Sequence, residues 1–126
     1  LTSDYGKEYI LEGAGEITVP SSERFIVKLK AIVPTTFTLH QNFPNPFNPI
    51  TTLMYDLPKD NFVILTVYDM LGREITQLVS TTQETGFKSV QWDATDSMGR
   101  PVSAGVYLYQ IEAGEFVETK KMVLLK

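Results

Sequence analysis

The chain has 126 residues, 43% hydrophobic and 21% charged, with a formal net charge of −4 and a pI near 4.9. That length holds one full domain plus a fragment, and the acidic balance argues against nucleic acid, whose binders carry a basic patch. Cysteine is absent, which removes disulfides, thiolate catalysis and zinc–thiolate sites together.

No apolar run approaches the roughly 20 residues that a membrane-spanning helix needs. No amino-terminal signal peptide is visible, and the chain opens at Leu1, so we expect a carboxy-terminal piece of a longer protein. The only concentrated basic cluster is Lys120-Lys121 with Lys126, too little for counterion-driven binding.

Helical periodicity is nearly missing. Short runs rich in Val, Ile, Tyr, Phe and Thr recur instead, cut by Gly, Pro and Asp turns. Taken in order, the predicted strands are 8–12, 16–19, 24–32, 51–57, 62–69, 74–78, 88–93, 106–112 and 116–125. Such spacing predicts an all-β sandwich or barrel, and we expect a sandwich. The runs before residue 33 cannot bury both faces alone, because an isolated hairpin is marginal in water. They are either the closing strands of an upstream β domain or strands added to the sandwich that follows. The expected division is therefore 1–33, closing strands plus linker, and 34–126, the main domain.

Between these parts lies Gln41-Asn42-Phe43-Pro44-Asn45-Pro46-Phe47-Asn48-Pro49. Each proline locks φ and removes a backbone donor, and each pushes its predecessor toward extended geometry. The stretch is predicted to be a stiff arm that cannot sit inside a central strand. Its asparagines can satisfy backbone groups that the prolines leave unpaired. It reads as a fixed entry to the domain, and the same residues could simply cap an open end of the sandwich.

In 68–74, Gly72 suits the left-handed position that closes a tight hairpin. Gly114 does similar service between the last two strands, and 96–101 reads as a further turn with Gly99 at positive φ. Alternation puts Val90 and Trp92 on one face of their strand, and Tyr107, Tyr109 and Ile111 on one face of the next. Val117, Val123 and Leu125 share one side of the last strand and are expected to face the core. The 62–67 run is apolar on both faces, as for a strand covered on both sides. Trp92 is expected in the core, where sandwiches bury a large aromatic.

Residues 34–126 closely resemble the type A carboxy-terminal sorting domain of the type IX secretion system of the Bacteroidetes and related bacteria. The resemblance is carried by the proline arm with Thr51-Thr52, by Val67-Tyr68-Asp69-Met70-Leu71-Gly72-Arg73-Glu74 and by Trp92-Asp93. It continues through Gly99-Arg100-Pro101-Val102, Gly105-Val106-Tyr107 and the closing Lys120-Lys121-Met122-Val123-Leu124-Leu125-Lys126. The chain departs from the family at Ala94, where Gly often follows Trp-Asp, and at Leu53-Met54. The same pattern is similar to the immunoglobulin-like domain of the flagellar hook-capping protein, which implies an immunoglobulin-like antiparallel β-sandwich.

The resemblance implies a non-catalytic module, without cofactor, that directs an attached upstream cargo across the outer membrane. The implied partners are the outer-membrane translocon and a surface sortase. The implied location is the periplasm in transit, then the cell surface or the medium. Carried over by position, the recognition surface would comprise Pro44, Asn45, Pro46, Gly105, Tyr107, Lys121, Met122 and Lys126, with any cleavage in 31–39.

Blander readings stand beside this one. Lys121 and Lys126 could merely protect an edge strand, although the carboxylate at Lys126 would suit capture of a chain end. Asp93 and Asp96 lie in one loop, but two acids fall short of the six to eight oxygens that Ca²⁺ takes. His40 has no second histidine and no nucleophile turn near it, and is expected to face solvent. A structural or adhesive module retained on a surface protein is a rival reading. A carbohydrate-binding module is another, if Trp92, Tyr107 and Tyr109 formed an exposed stacking platform.

Overall fold

The computed structural model describes residues 16–20, 26–30 and 33–126. Contacts divide the chain into two compact units, Leu1–Thr35 and Thr36–Lys126. In the first unit, β1 (Glu16–Pro20) pairs antiparallel with β2 (Ile26–Lys30), with Glu16 opposite Lys30. The predicted strand at 8–12 lies outside the described residues.

The second unit is an all-β, immunoglobulin-like antiparallel sandwich of a three-stranded and a four-stranded sheet. Its strands are β3 (Thr38–Leu39), β4 (Thr51–Leu57), β5 (Asn61–Asp69), β6 (Glu74–Gln83), β7 (Gly86–Trp92), β8 (Gly105–Ala113) and β9 (Phe116–Leu124). The small sheet runs β3-β4-β7 and the large one β6-β5-β8-β9. Among the described residues there is no helix.

Period-two alternation builds the core. Leu53, Tyr55 and Leu57 of β4 point inward against Val63, Leu65 and Val67 of β5 and Tyr107, Tyr109 and Ile111 of β8. Trp92 is buried, meeting Tyr107 edge-on at 5.5 Å and Phe47 at 5.9 Å between ring centroids. Aromatic pairs tilted in this way add to simple area burial.

Two sequence expectations are corrected. On β9 the inward side chains are Met122 and Leu124, with Phe116 partly buried, while Val117 and Leu125 are exposed. Both parities of that strand carry apolar residues, so alternation alone does not choose; the pairing Tyr107↔Met122 sets the face. On β5 the outer face is only partly covered: Phe62 is half-exposed and Ile64 and Tyr68 are half-buried, while Thr66 is buried.

The topology gives the sandwich two distinct poles. The chain enters at β3, with Thr38 beside Asp56, and the turns at 58–60, 84–85 and 114–115 lie at that entry pole. At the distal pole lie the starts of β4, β6 and β8, the end of β9, and the turns at 70–73 and 93–104.

Candidate recognition surface

The proline arm continues β3 along β4 and then crosses to the other sheet. Phe43 and Thr52 exchange two backbone hydrogen bonds at 3.0 and 2.9 Å, which fixes the arm against β4. Phe47 N–H donates to the Val123 carbonyl (3.0 Å), and Leu125 N–H donates to the Phe47 carbonyl (2.9 Å), a parallel bridge to β9. All three prolines follow cis peptide bonds. The Phe47 ring is buried against Trp92, so the arm plugs the side of the sandwich where β3 and β9 would otherwise leave open edges.

Asn42 anchors the arm from within. Its side chain is buried and donates through Nδ2 to Thr51 Oγ1 (2.9 Å) and to the Pro44 carbonyl (3.2 Å). The Thr51 hydroxyl donates to the same carbonyl at 2.9 Å. Below it, the buried Tyr109 hydroxyl accepts from the Asn42 N–H (2.8 Å) and donates to the His40 carbonyl (2.6 Å). Burial pushes the Tyr109 phenol up to about 12, against the lowering effect of the Asn42 bond. These partners answer for backbone groups that a proline-rich segment cannot pair in a ladder.

The residues singled out in the sequence converge on this edge. Asn45 Oδ1 accepts from Val123 N–H at 3.0 Å, and Gln41 Nε2 donates to the Lys121 carbonyl at 2.8 Å. Gly105 lies opposite Leu124 and Tyr107 opposite Met122. Pro44, Asn45, Pro46, Lys121 and Lys126 are exposed, whereas Gly105 is half-buried. Met122 and Tyr107 are core side chains, 0% and 6% exposed. A surface role for those two side chains is therefore corrected: they support the edge from inside. The Tyr107 hydroxyl donates to the Ser103 carbonyl four residues upstream (2.6 Å), and burial raises its pKa.

Strand addition along the last half of β9 is also closed off, because the arm already occupies the outward groups at Lys121, Val123 and Leu125. What remains for a partner there is side chains and the arm itself. Phe43 is 72% exposed on that rigid arm, between buried Asn42 and buried Phe47. That the polar Asn42 turns inward while its neighbour Phe43 turns outward was not legible from the sequence.

Two five-residue turns have the same geometry. In Asp69-Met70-Leu71-Gly72-Arg73, Asp69 Oδ1 accepts from the N–H groups of Leu71 and Arg73, both at 2.9 Å, and Arg73 Nε donates to Oδ2 at 2.8 Å. In Asp96-Ser97-Met98-Gly99-Arg100 the same three bonds measure 2.9, 2.9 and 3.1 Å. Each glycine, at φ 85° and 81°, donates to the carbonyl of its own aspartate, a left-handed position that other residues occupy at a cost. Both carboxyls are held below the ordinary carboxylate value, chiefly by the backbone N–H of the following arginine. Ser97 N–H donates to the Ile75 carbonyl at 3.1 Å, which sets the two turns side by side. The repeat Asp-x-x-Gly-Arg is visible in the sequence; the clamp it builds is the feature that reading the turns singly misses.

The two acids weighed for calcium already have protein partners. Asp96 spends both oxygens on its own turn, and Asp93 Oδ1 accepts from the Thr95 hydroxyl. Among the described residues no three His, Cys, Asp or Glu side chains gather into a metal-holding group. His40 faces solvent as expected, 43% exposed, and in addition its Nε2 lies 3.0 Å from Asp56 Oδ1. Trp92, Tyr107 and Tyr109 are buried, so they form no platform for sugar rings.

Residues 50–116 match the family described as the FlgD Ig-like domain, just over half of the chain. The chain belongs to that family. No curated protein matches it. Among solved structures, this FlgD Ig-like domain chain superposes on dimeric latent PorU from Porphyromonas gingivalis with a TM-score of 0.59 at 21% identity, over 87% of its length. It also superposes on PorZ, an essential surface component of the type IX secretion system of the same bacterium, with a TM-score of 0.52 at 15% identity over 92%. The chain spans 12% and 16% of those two proteins. At such identities the likeness establishes the sandwich.

Proposed function

We propose that this chain is a non-catalytic sorting module that carries an attached upstream cargo across the outer membrane through a type IX secretion system. The module passes through the periplasm and is read there by the translocon. A surface sortase then acts on the 31–39 stretch as the cargo reaches the cell surface. One observation carries the reading. The arm and the last strand hold the motifs that resemble the sorting family, about 80 residues apart, and four hydrogen bonds join them into one rigid edge. A preformed surface loses little entropy when a partner binds it. The structural neighbours from PorU and PorZ accord with this reading through their fold alone.

A reporter joined ahead of the full chain tests it. In a host with the secretion system the reporter is expected at the cell surface. Asn45→Ala with Lys126→Ala is expected to lower that fraction while the fold persists, since the exposed Asn45–Val123 bond lost with it is worth only about 1 kcal/mol. Reporter that remains in the periplasm would favour a module retained for structural purposes. Full export by the double variant would show that the recognition edge is misassigned.

A further inference from the structure

The two clamped turns sit together at the distal pole, and their tips are apolar. Met70, Leu71 and Met98 are 58%, 79% and 73% exposed. At the entry pole the corresponding turn tips are Lys59, Asp60, Glu84 and Glu115. Large apolar side chains at a turn tip add nothing to the core, and side chains so exposed on ordinary turns are polar. Here each is presented by a loop that its own aspartate holds in one conformation, so binding through it would order little further chain.

Charge decides which kind of partner fits. Asp69 pairs with Arg73 and Asp96 with Arg100, so each turn is neutral and offers no net attraction to an anionic lipid surface. Each guanidinium is engaged through Nε, while its side chain stays 73% or 72% exposed. The terminal Nη groups are left as fixed, fork-shaped donors. Met and Arg are enriched at protein interfaces, where buried anchors are ringed by polar contacts. The end of β9 and the arm beyond Phe47 reach the same pole. The two turns, however, lie by β6, at the other side of the large sheet from β9, so these tips form a surface separate from the edge described above.

Resting on the sorting role, we infer that the paired turns are an end-on docking tip. Met70, Leu71 and Met98 enter apolar sockets on a protein receptor of the export machinery, and Arg73 and Arg100 donate to carboxylate or carbonyl oxygens at the socket rims.

The test uses the reporter joined ahead of the full chain, with Met70→Ser, Leu71→Ser and Met98→Ser combined. The surface-to-periplasm ratio is expected to fall about tenfold or more, the loss that truncating one or two interface anchors brings. The urea midpoint is expected to stay within error of wild type. A control at the entry pole, Lys59→Ser with Glu84→Ser and Glu115→Ser, is expected to export normally. Leu71→Asp alone, at the most exposed tip, repeats the test should the triple variant lose stability. Equal export by wild type and the folded tip variants overturns the docking tip while leaving the sorting role standing. Wild-type reporter retained in the periplasm removes the sorting role and the tip with it. Cosedimentation of wild type, but not of the triple variant, with phosphatidylglycerol vesicles would give the tips to lipid and also overturn the inference.

Discussion

The Tyr109 hydroxyl fixes the start of the arm through two bonds at once. Tyr109→Phe keeps the ring and strands both the Asn42 N–H and the His40 carbonyl, one of them fully buried. The expected cost is about 2 kcal/mol, the penalty for leaving buried partners unmade, read from urea unfolding. The same phenol gives a pH signature. Its folded pKa of about 12 lies above the ordinary 10.0. Its contribution to stability is therefore complete below pH 10 and is lost as pH rises toward 12. The midpoint of wild type should fall through that window, and that of Tyr109→Phe should fall less. Ala94 is a second residue-scale case. It sits at φ 63° and is buried, which explains why the resembled family often has Gly there. Ala94→Gly relieves about 1–2 kcal/mol of left-handed strain and loses about 0.8 kcal/mol of buried methyl plus some chain entropy. The net change should be within about 1 kcal/mol of zero by those opposing terms. Ala94→Val, branched at positive φ in a filled site, should cost more than about 2 kcal/mol.

At the scale of elements, the arm acts as an eighth strand of the sandwich that is not a strand. Phe47→Ala removes a buried ring that meets Trp92, and is expected to cost about 3–5 kcal/mol. Its exchange pattern would be diagnostic. Val123 and Leu125 donate outward to the arm, while the alternate residues of β9 face β8. In the variant, amide exchange should quicken at Val123 and Leu125 and hold at Met122 and Leu124. Much of this was legible. Residues 51–57 match β4 to the residue because alternation and flanking prolines agree there, and Gly72, Gly99 and Gly114 all sit at positive φ as their turns predict. Other features were hidden for physical reasons. β3 has two residues, too few to show a period. β6 runs five residues beyond its predicted end because Val79-Ser80-Thr81-Thr82-Gln83, mostly exposed and polar, is held as a strand by pairing with β5.

For the whole molecule, every described core side chain lies between Leu39 and Leu124. A fragment of residues 36–126 is therefore expected to unfold cooperatively, with coincident transitions by circular dichroism and tryptophan fluorescence. Trp92 is the chain's single tryptophan and is buried, so its emission reports the core directly. The candidate site was legible as a set of residues and not as a surface. Pattern placed Pro44, Asn45, Pro46, Lys121 and Lys126 in two distant segments. Only the closed sheet shows that they share an edge, and that Met122 and Tyr107 stand behind it.

The bridge between Phe47 and Leu124 has a temporal meaning too. The Phe47 ring packs on Trp92, and the backbone that carries it is held by Val123 and Leu125, so the socket around Trp92 is expected to fill only once β9 is in place. Pairings this far apart in sequence close late, so whatever inspects that closed edge is also checking that the whole sandwich has been assembled.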